Sequence, residues 1–118
     1  MTTRDQYALR VFGIDERRDL VTLRVHPTGD TRDADAVLLL LYGYRVLRET
    51  DDVPVTKLTK SISMSGLRGD RIDRLAGEHV RTNLIVKHGS GKGGKYVLTN
   101  TGRARAETLT EELYRTVA

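Results

Sequence analysis

The stretch His88-Gly-Ser-Gly-Lys-Gly-Gly-Lys-Tyr96 contains the glycines and lysines most suited to binding phosphate in this chain. Gly89, Gly94 and Lys95 fit the nucleotide-binding pattern G-x-x-x-x-G-K-[ST], but Tyr96 replaces the hydroxyl that binds Mg²⁺. That pattern also requires a helix after the loop, so that backbone N–H groups converge on the phosphates. The segment from Tyr96 onward predicts a strand, which argues against nucleotide hydrolysis.

Length and composition indicate one soluble domain. The chain has 118 residues, of which 38% are hydrophobic and 31% charged, and its longest aliphatic run, Val37–Leu41, is too short to span a membrane. The absence of cysteine excludes disulfides and thiolate metal sites. The chain opens without a secretory leader pattern, so we expect a cytoplasmic protein.

The N-terminal part predicts a β-hairpin. Segments Tyr7–Phe12 and Leu20–His26 are rich in β-branched and aromatic residues that alternate with other residues, and the polar stretch 15–19 suits the connection. A short amphipathic helix over part of this region is the alternative. In the hairpin prediction, residues 1–30 form an extension to residues 31–118, and both parts belong to a single domain.

A central, largely buried helix is predicted next, with Asp33 as its N-cap. The stripe that defines it consists of Val37, Leu40, Leu41, Tyr44 and Leu47. Gly43 lies inside this helix at a cost of about 1 kcal/mol relative to alanine, which indicates close approach by another backbone.

Two short helices separated by a turn should follow a break at Asp51–Pro54. The first covers Val55–Ile62, with Thr56 as a possible cap. The second lies near 68–81. Its inner face consists of Ile72, Leu75, Ala76 and Val80, and its outer face of Arg68, Arg71, Arg74, Glu78 and Arg81.

Two strands and a final helix complete the predicted fold, which is α+β. The strands are Leu84–Lys87 and Tyr96–Thr99, and the glycine-rich stretch joins them. Thr99 or Thr101 is expected to cap the last helix, which runs from Gly102 to Val117.

This order of elements resembles a winged helix-turn-helix domain of bacterial and archaeal transcription regulators. Two segments carry the resemblance: Thr82-Asn-Leu-Ile, where a helix gives way to a strand, and Lys95-Tyr-Val-Leu-Thr-Asn-Thr-Gly102. The second is similar to the basic-x-aromatic-x-Leu-Thr-x-x-Gly stretch after the wing of MarR-like and PadR-like regulators. The segment GSGKGGK lacks the Asp–Arg pair of MarR-like wings, so no subfamily is assigned.

The resemblance implies that the second helix of the pair enters the major groove of DNA. The candidate base contacts are Ser65, Arg68, Asp70, Arg71 and Arg74. Arginine can donate two hydrogen bonds to guanine, and an aspartate can accept one from cytosine. Alternatively, Asp70 caps the helix, which we favour, and the arginines form ion pairs with neighbouring acids.

Charge placement agrees with a polyanionic partner. Between Thr56 and Arg105 there are 11 Lys/Arg and 3 Asp/Glu, whereas residues 1–52 carry 8 Lys/Arg and 10 Asp/Glu. Glycines let the hairpin tip approach phosphates closely. The expected phosphate contacts are Lys57 and Lys60 on the first short helix, and Lys87, Lys92 and Lys95 around the wing.

The sequence therefore predicts a sequence-specific double-stranded DNA-binding protein, most simply a small transcription regulator, with the wing at 87–96 on phosphates. We expect a homodimer that uses the C-terminal helix or the N-terminal hairpin. No catalytic site, metal site or cofactor is expected, because His26, His79 and His88 are scattered. The alternative is a winged-helix module for protein–protein interaction, and the sequence leaves a small-molecule effector open.

Overall fold

The structure is a computed structural model that describes residues 3–117, apart from the side chains of residues 3–5 and of Lys92. Within this range the chain is a mixed α+β protein with five α-helices and two small antiparallel sheets. The elements are α1 (Thr3–Val11), β1 (Phe12–Asp15), β2 (Leu20–Leu23), α2 (Arg32–Arg48), β3 (Asp52–Pro54), α3 (Val55–Met64), α4 (Ile72–Arg81), β4 (Ile85–His88), β5 (Lys95–Leu98) and α5 (Asn100–Val117).

Helix α2 forms the centre of the structure, as the sequence predicts. Every residue from Ala34 to Tyr44 is buried, because this stretch is mostly apolar on all faces. The helix contacts α1, α3, α4, α5 and β2. Its predicted cap is wrong: the N-cap is Thr31, whose hydroxyl donates to the carboxylate of Asp35, while Asp33 lies in the first turn.

The second predicted strand is present but ends at Leu23 and not at His26, and the first predicted strand is wrong. Residues 7–11 belong to α1, and the first strand begins only at Phe12. Ala8 and Val11, three residues apart, are both fully buried, whereas Leu9 and Arg10 are exposed. This spacing suits a helix that packs on α2 and α5, so the alternative helical interpretation is correct for residues 7–11.

The hairpin β1/β2 packs closely on α2 at Gly43. A Cβ atom at this position would lie 2.9 Å from Phe12 Cδ1 and 2.9 Å from Val21 Cγ1. Another element does approach Gly43 closely, but through side chains of the hairpin, so the prediction of another backbone is wrong. Gly43 allows the hairpin to join the main hydrophobic core.

The second sheet has the strand order β3–β5–β4, with all neighbours antiparallel. Strands β4 and β5 were predicted to within one residue. Strand β3 was not predicted, because Pro54 indicated a break. Val53 pairs with Tyr96 on β5, and proline is tolerated because β3 lies at the edge of the sheet.

The predicted caps of the remaining helices have mixed outcomes. The N-cap of α3 is Pro54 and makes no side-chain hydrogen bond, so the prediction of Thr56 is wrong. The hydroxyl of Thr99 accepts a hydrogen bond of 2.9 Å from the N–H of Gly102, which confirms Thr99 as the residue that caps α5.

Candidate nucleic-acid interface

The outward face of α4 carries a row of arginines. Ile72 and Ala76 are buried against the core, and Arg71, Arg74 and Arg81 are exposed on the opposite side. These three side chains form no ion pair or hydrogen bond with any side chain that the structure describes. Glu78 lies on the same face, is exposed, and likewise has no ion-pair partner among the described residues. The face therefore carries three arginines and one carboxylate, and the charge of Asp70 acts on Arg71 without an ion pair between them.

The start of α4 differs from the prediction. The helix begins at Ile72 instead of near 68, because Arg71 is its N-cap residue. Asp70 is consequently not the cap. Its carboxylate accepts a hydrogen bond of 3.0 Å from Arg68, and this bond lowers the pKa of Asp70 below the usual value. Arg68 and Asp70 thus lie in the turn between α3 and α4.

A polar contact attaches α4 to the β4/β5 hairpin. The hydroxyl of buried Tyr96 donates a hydrogen bond of 2.7 Å to Asp73 Oδ1, in the first turn of α4. Lys87 Nζ lies 3.5 Å from the same oxygen and 5.6 Å from the centroid of the Tyr96 ring. Burial, together with the hydrogen bond to Asp73, raises the pKa of the Tyr96 phenol. This contact fixes the orientation of α4 relative to the sheet.

The glycine-rich loop forms a compact turn between β4 and β5. Gly89 and Gly91 have φ angles of +80° and +56°, in the left-handed region that glycine adopts without a steric penalty. A 3-10 turn covers Gly91–Gly93, and the carbonyl of Gly94 accepts a hydrogen bond of 3.0 Å from the N–H of Val55. The loop therefore lies against the start of α3 and leads into a strand, not into the helix that a nucleotide-binding loop requires.

The lysines predicted around this loop differ in availability. Lys87 contacts Asp73 as described, and Lys95 Nζ lies 3.6 Å from Asp52 Oδ2 at a distance typical of an ion pair. The side chain of Lys92 lies outside the described residues. Ion pairs between exposed residues contribute only about 0–1 kcal/mol, so a phosphate can compete with these carboxylates.

Three residues predicted to contact DNA lie on α3 or at its C-cap and have different roles. Lys60 is exposed and has no ion pair with any described side chain. Lys57 donates a hydrogen bond of 2.8 Å to Asp19 in the turn between β1 and β2. Ser65 is buried: its hydroxyl donates to Ser61 O, at 2.7 Å, and accepts from the N–H of Leu23, at 2.9 Å. Ser65 therefore holds β2 against α3 and is not available to contact a base.

The contact of the hairpin turn with α2 and α3 was not predicted. Asp19 is 38 residues from Lys57 and 29 residues from Arg48, and it forms an ion pair with each. The local sequence contains no signal for a pairing of this range. The polar stretch 15–19 predicts a hairpin connection and does not indicate a partner on another helix.

Metal ligation has no support among the described side chains, which contain no group of three or more His, Asp or Glu residues placed to hold an ion. Nε2 of His26 lies within hydrogen-bond distance of Ser65 O, and Nε2 of His79 lies 2.9 Å from Ala34 O. In residues 3–117, no helix combines the length and apolar character needed to cross a membrane.

Comparisons with known proteins give no family for this chain. No protein-family model, no curated protein and no solved structure matches it. The function must therefore be inferred from the arrangement of side chains alone.

Proposed function

We propose that this chain is a winged helix-turn-helix protein that binds double-stranded DNA sequence-specifically and acts as a small transcription regulator in the cytoplasm. The observation that carries the proposal is the outward face of α4, where Arg71, Arg74 and Arg81 are exposed and unpaired within the described part of the chain. In this proposal residues 31–118 form the DNA-binding unit, and residues 1–30 are an extension that packs on it.

The order and pairing of the elements support this assignment. Helices α3 and α4 are consecutive and joined by the seven residues 65–71, and the β4/β5 hairpin follows α4. The glycine-rich loop at the tip of that hairpin contacts the beginning of α3. Two short helices and the hairpin loop thus lie together, which is the arrangement that a helix in the major groove and a wing on the backbone need.

The chemistry of α4 suits base recognition. The guanidinium groups of Arg71 and Arg74 each have two parallel N–H donors that match O6 and N7 of guanine, a contact worth about 1–3 kcal/mol of discrimination. Glu78 has acceptor oxygens only, which match the amino group of cytosine and repel phosphate. We therefore expect a recognition site that contains G·C pairs.

Phosphate contacts are assigned to the residues around α4. Lys60 is exposed on α3, and the loop places glycine backbone next to Lys87 and Lys95. A DNA phosphate would replace Asp73 and Asp52 as the partners of these two lysines. Such contacts position the protein and carry no sequence information.

One observation favours the alternative of a protein-interaction module. Lys57, Arg68, Lys87 and Lys95, four of the basic residues assigned to DNA, already form ion pairs with carboxylates. Under this alternative, carboxylates neutralise most of the basic surface, and that surface has no role in binding DNA. The two functions are distinguished by whether α4 substitutions change duplex binding.

A homodimer is part of the proposal, with α1 and α5 as its interface. Leu9 and Val117 are 45% and 44% exposed, and Leu9 lines a surface cleft together with Tyr114. Two-fold dimers place one recognition helix on each half-site of a palindrome. Light scattering should give the mass of two chains at micromolar concentration, and Leu9→Ser with Val117→Ser should give one. A wild-type mass of one chain contradicts the dimer.

The test of DNA binding compares two arginine substitutions. Duplexes are first selected from a random library with the wild-type protein, and binding to selected and scrambled duplexes is then measured by fluorescence anisotropy. Arg74→Ala should weaken binding to the selected duplex by about 5- to 150-fold, which corresponds to about 1–3 kcal/mol, and should affect the scrambled duplex much less.

Arg17→Ala is the matched control, because Arg17 is also exposed and forms no ion pair among the described residues but lies in the turn between β1 and β2. It removes the same charge and should lower both affinities slightly and equally. If Arg74→Ala and Arg17→Ala have the same effect, α4 does not read bases and the proposal is wrong.

A further inference from the structure

Two cations at the junction of α2 and α3 share a single carboxylate from the hairpin turn. Asp19 Oδ2 accepts a hydrogen bond of 2.8 Å from Lys57 Nζ, and Asp19 Oδ1 accepts one from Arg48 Nη2. Glu16 Oε2 lies 3.7 Å from Arg48 Nη1 and adds a weaker contact. Both oxygens of one carboxylate are therefore used by two cations from different helices.

Each of the two cations has a contact besides Asp19: Glu16 for Arg48 and the Tyr44 ring for Lys57. Lys57 Nζ lies 5.5 Å from the centroid of the Tyr44 ring, whose face attracts a cation. The side chains of Lys57 and Arg48 are only 27% and 33% exposed. The two cations are therefore partly enclosed, next to the end of α3 that the glycine-rich loop contacts.

Asp19, in contrast, belongs to a surface turn. Its side chain is 53% exposed, and its backbone has a φ of +54°, in the left-handed region that aspartate visits more readily than most residues. Lys57 is the main cause, and Arg48 the second, of a pKa of Asp19 below the usual carboxyl range. Asp19 is thus a charged carboxylate in a surface turn that binds both Arg48 and Lys57.

We propose that Arg48 and Lys57 form a phosphate-binding site whose occupant in the free protein is the carboxylate of Asp19. A backbone phosphate of a nucleic acid competes with Asp19 for these cations, so the N-terminal hairpin restrains binding of the polyanion. The nucleic-acid part of this inference rests on the proposed function, whereas the phosphate site itself does not.

The phosphate site is tested first without DNA. Asp19→Asn keeps the size of the side chain and removes its charge, and Asp15→Asn is the matched control. Asp15 is the last residue of β1, directly before the same turn, and its ion-pair partner among the described side chains is Arg18, at 2.8 Å. Both variants change the net charge equally, but only Asp19→Asn releases Lys57. Circular dichroism checks that both variants are folded.

The readout is the rate at which each lysine is acetylated, measured by mass spectrometry, with exposed Lys60 as the internal reference. Lys57 should react several times faster in Asp19→Asn than in the wild type or in Asp15→Asn. Inorganic phosphate should slow this reaction in Asp19→Asn more than it slows the reaction of Lys60. If phosphate gives Lys57 no such protection, the site does not bind phosphate and the inference fails.

Duplex binding across a salt series supplies the second measurement. One additional phosphate contact steepens the dependence of log affinity on log salt by about 0.9. Asp19→Asn should therefore bind more tightly than Asp15→Asn at 50 mM salt, and this advantage should shrink about 3.5-fold at 200 mM. Equal slopes for the two variants contradict the competition with DNA.

Lys57→Gln in the otherwise unchanged protein makes the test independent of the Asp19 variant. Because Asp19 already occupies Lys57, this substitution should leave the salt slope of duplex binding unchanged, whereas Lys60→Gln should reduce the slope by about 0.9. An equal reduction for both overturns the inference. If phosphate protects Lys57 in Asp19→Asn but no variant binds duplex DNA, the phosphate site is supported and the proposed function is refuted.

Discussion

Replacing Gly102 by alanine tests how α5 is held against β4. A Cβ atom at Gly102 would overlap the carbonyl oxygen of Leu84 and lie 2.8 Å from the carbonyl carbon. That carbonyl accepts hydrogen bonds of 3.0 Å from the N–H of Thr99 and of 3.2 Å from its hydroxyl. It cannot move away without breaking the contacts that begin α5.

The magnitude follows from two opposing effects. Alanine gains about 1 kcal/mol of helix propensity over glycine. Overpacking costs about 1–3 kcal/mol and more where the neighbour is backbone that cannot rotate aside. We expect a net loss of about 2 kcal/mol for Gly102→Ala, which lowers the Tm of a domain of this size by about 8 °C.

Gly77→Ala is the matched control in α4. A Cβ atom there meets nothing within 4 Å, so only the gain in helix propensity remains. We expect a stabilisation of about 0.5–1 kcal/mol by urea denaturation, opposite in sign to Gly102→Ala. If Gly102→Ala is as stable as Gly77→Ala, the close packing of α5 on Leu84 is wrong.

Three further outcomes are expected. Tyr96→Phe should destabilise the protein by about 1 kcal/mol in urea denaturation, since it removes the hydrogen bond to the largely exposed Asp73. If Tyr96→Phe is as stable as the wild type, this hydrogen bond does not hold α4 against the β4/β5 hairpin. The pKa of Asp19 is lowered in the folded protein. The ion pairs of Asp19 therefore stabilise the fold above about pH 4, and this stabilisation is lost as the pH falls through the folded-state pKa of Asp19. The stability difference between wild type and Asp19→Asn should thus shrink between pH 6 and pH 3 in urea titrations, and a constant difference contradicts the ion pairs. Gly43→Ala should lower Tm by clashing with Phe12, whereas an unchanged Tm argues against tight packing of the hairpin on α2.

Elements with strong periodicity were predictable from the sequence. The apolar stretch around Val37–Leu41 gave α2, and the alternation of Leu20–Leu23 gave β2, because burial on a given face requires these spacings. The residue pattern of Tyr7–Val11 fits both a strand and a helix. Ala8 and Val11 are buried where this segment packs on neighbouring helices, and this packing favours the helix. Local sequence does not contain that information.

The candidate site was predictable in part. The exposed positions of Arg71 and Arg74 follow from the buried stripe of Ile72 and Ala76 on the same helix. The burial of Ser65 depends on β2, whose Leu23 N–H lies 42 residues away in sequence. Partners that meet only in the folded chain cannot be found from spacing along a helix.

The most direct test of the central claim is fluorescence anisotropy of the wild-type protein with a selected duplex and a scrambled duplex across a salt series. We expect tighter binding to the selected duplex and a log affinity that falls linearly with log salt, with a slope of about −0.9 for each phosphate contacted. Failure to bind either duplex at low salt would contradict DNA binding by α4 and favour the protein-interaction alternative.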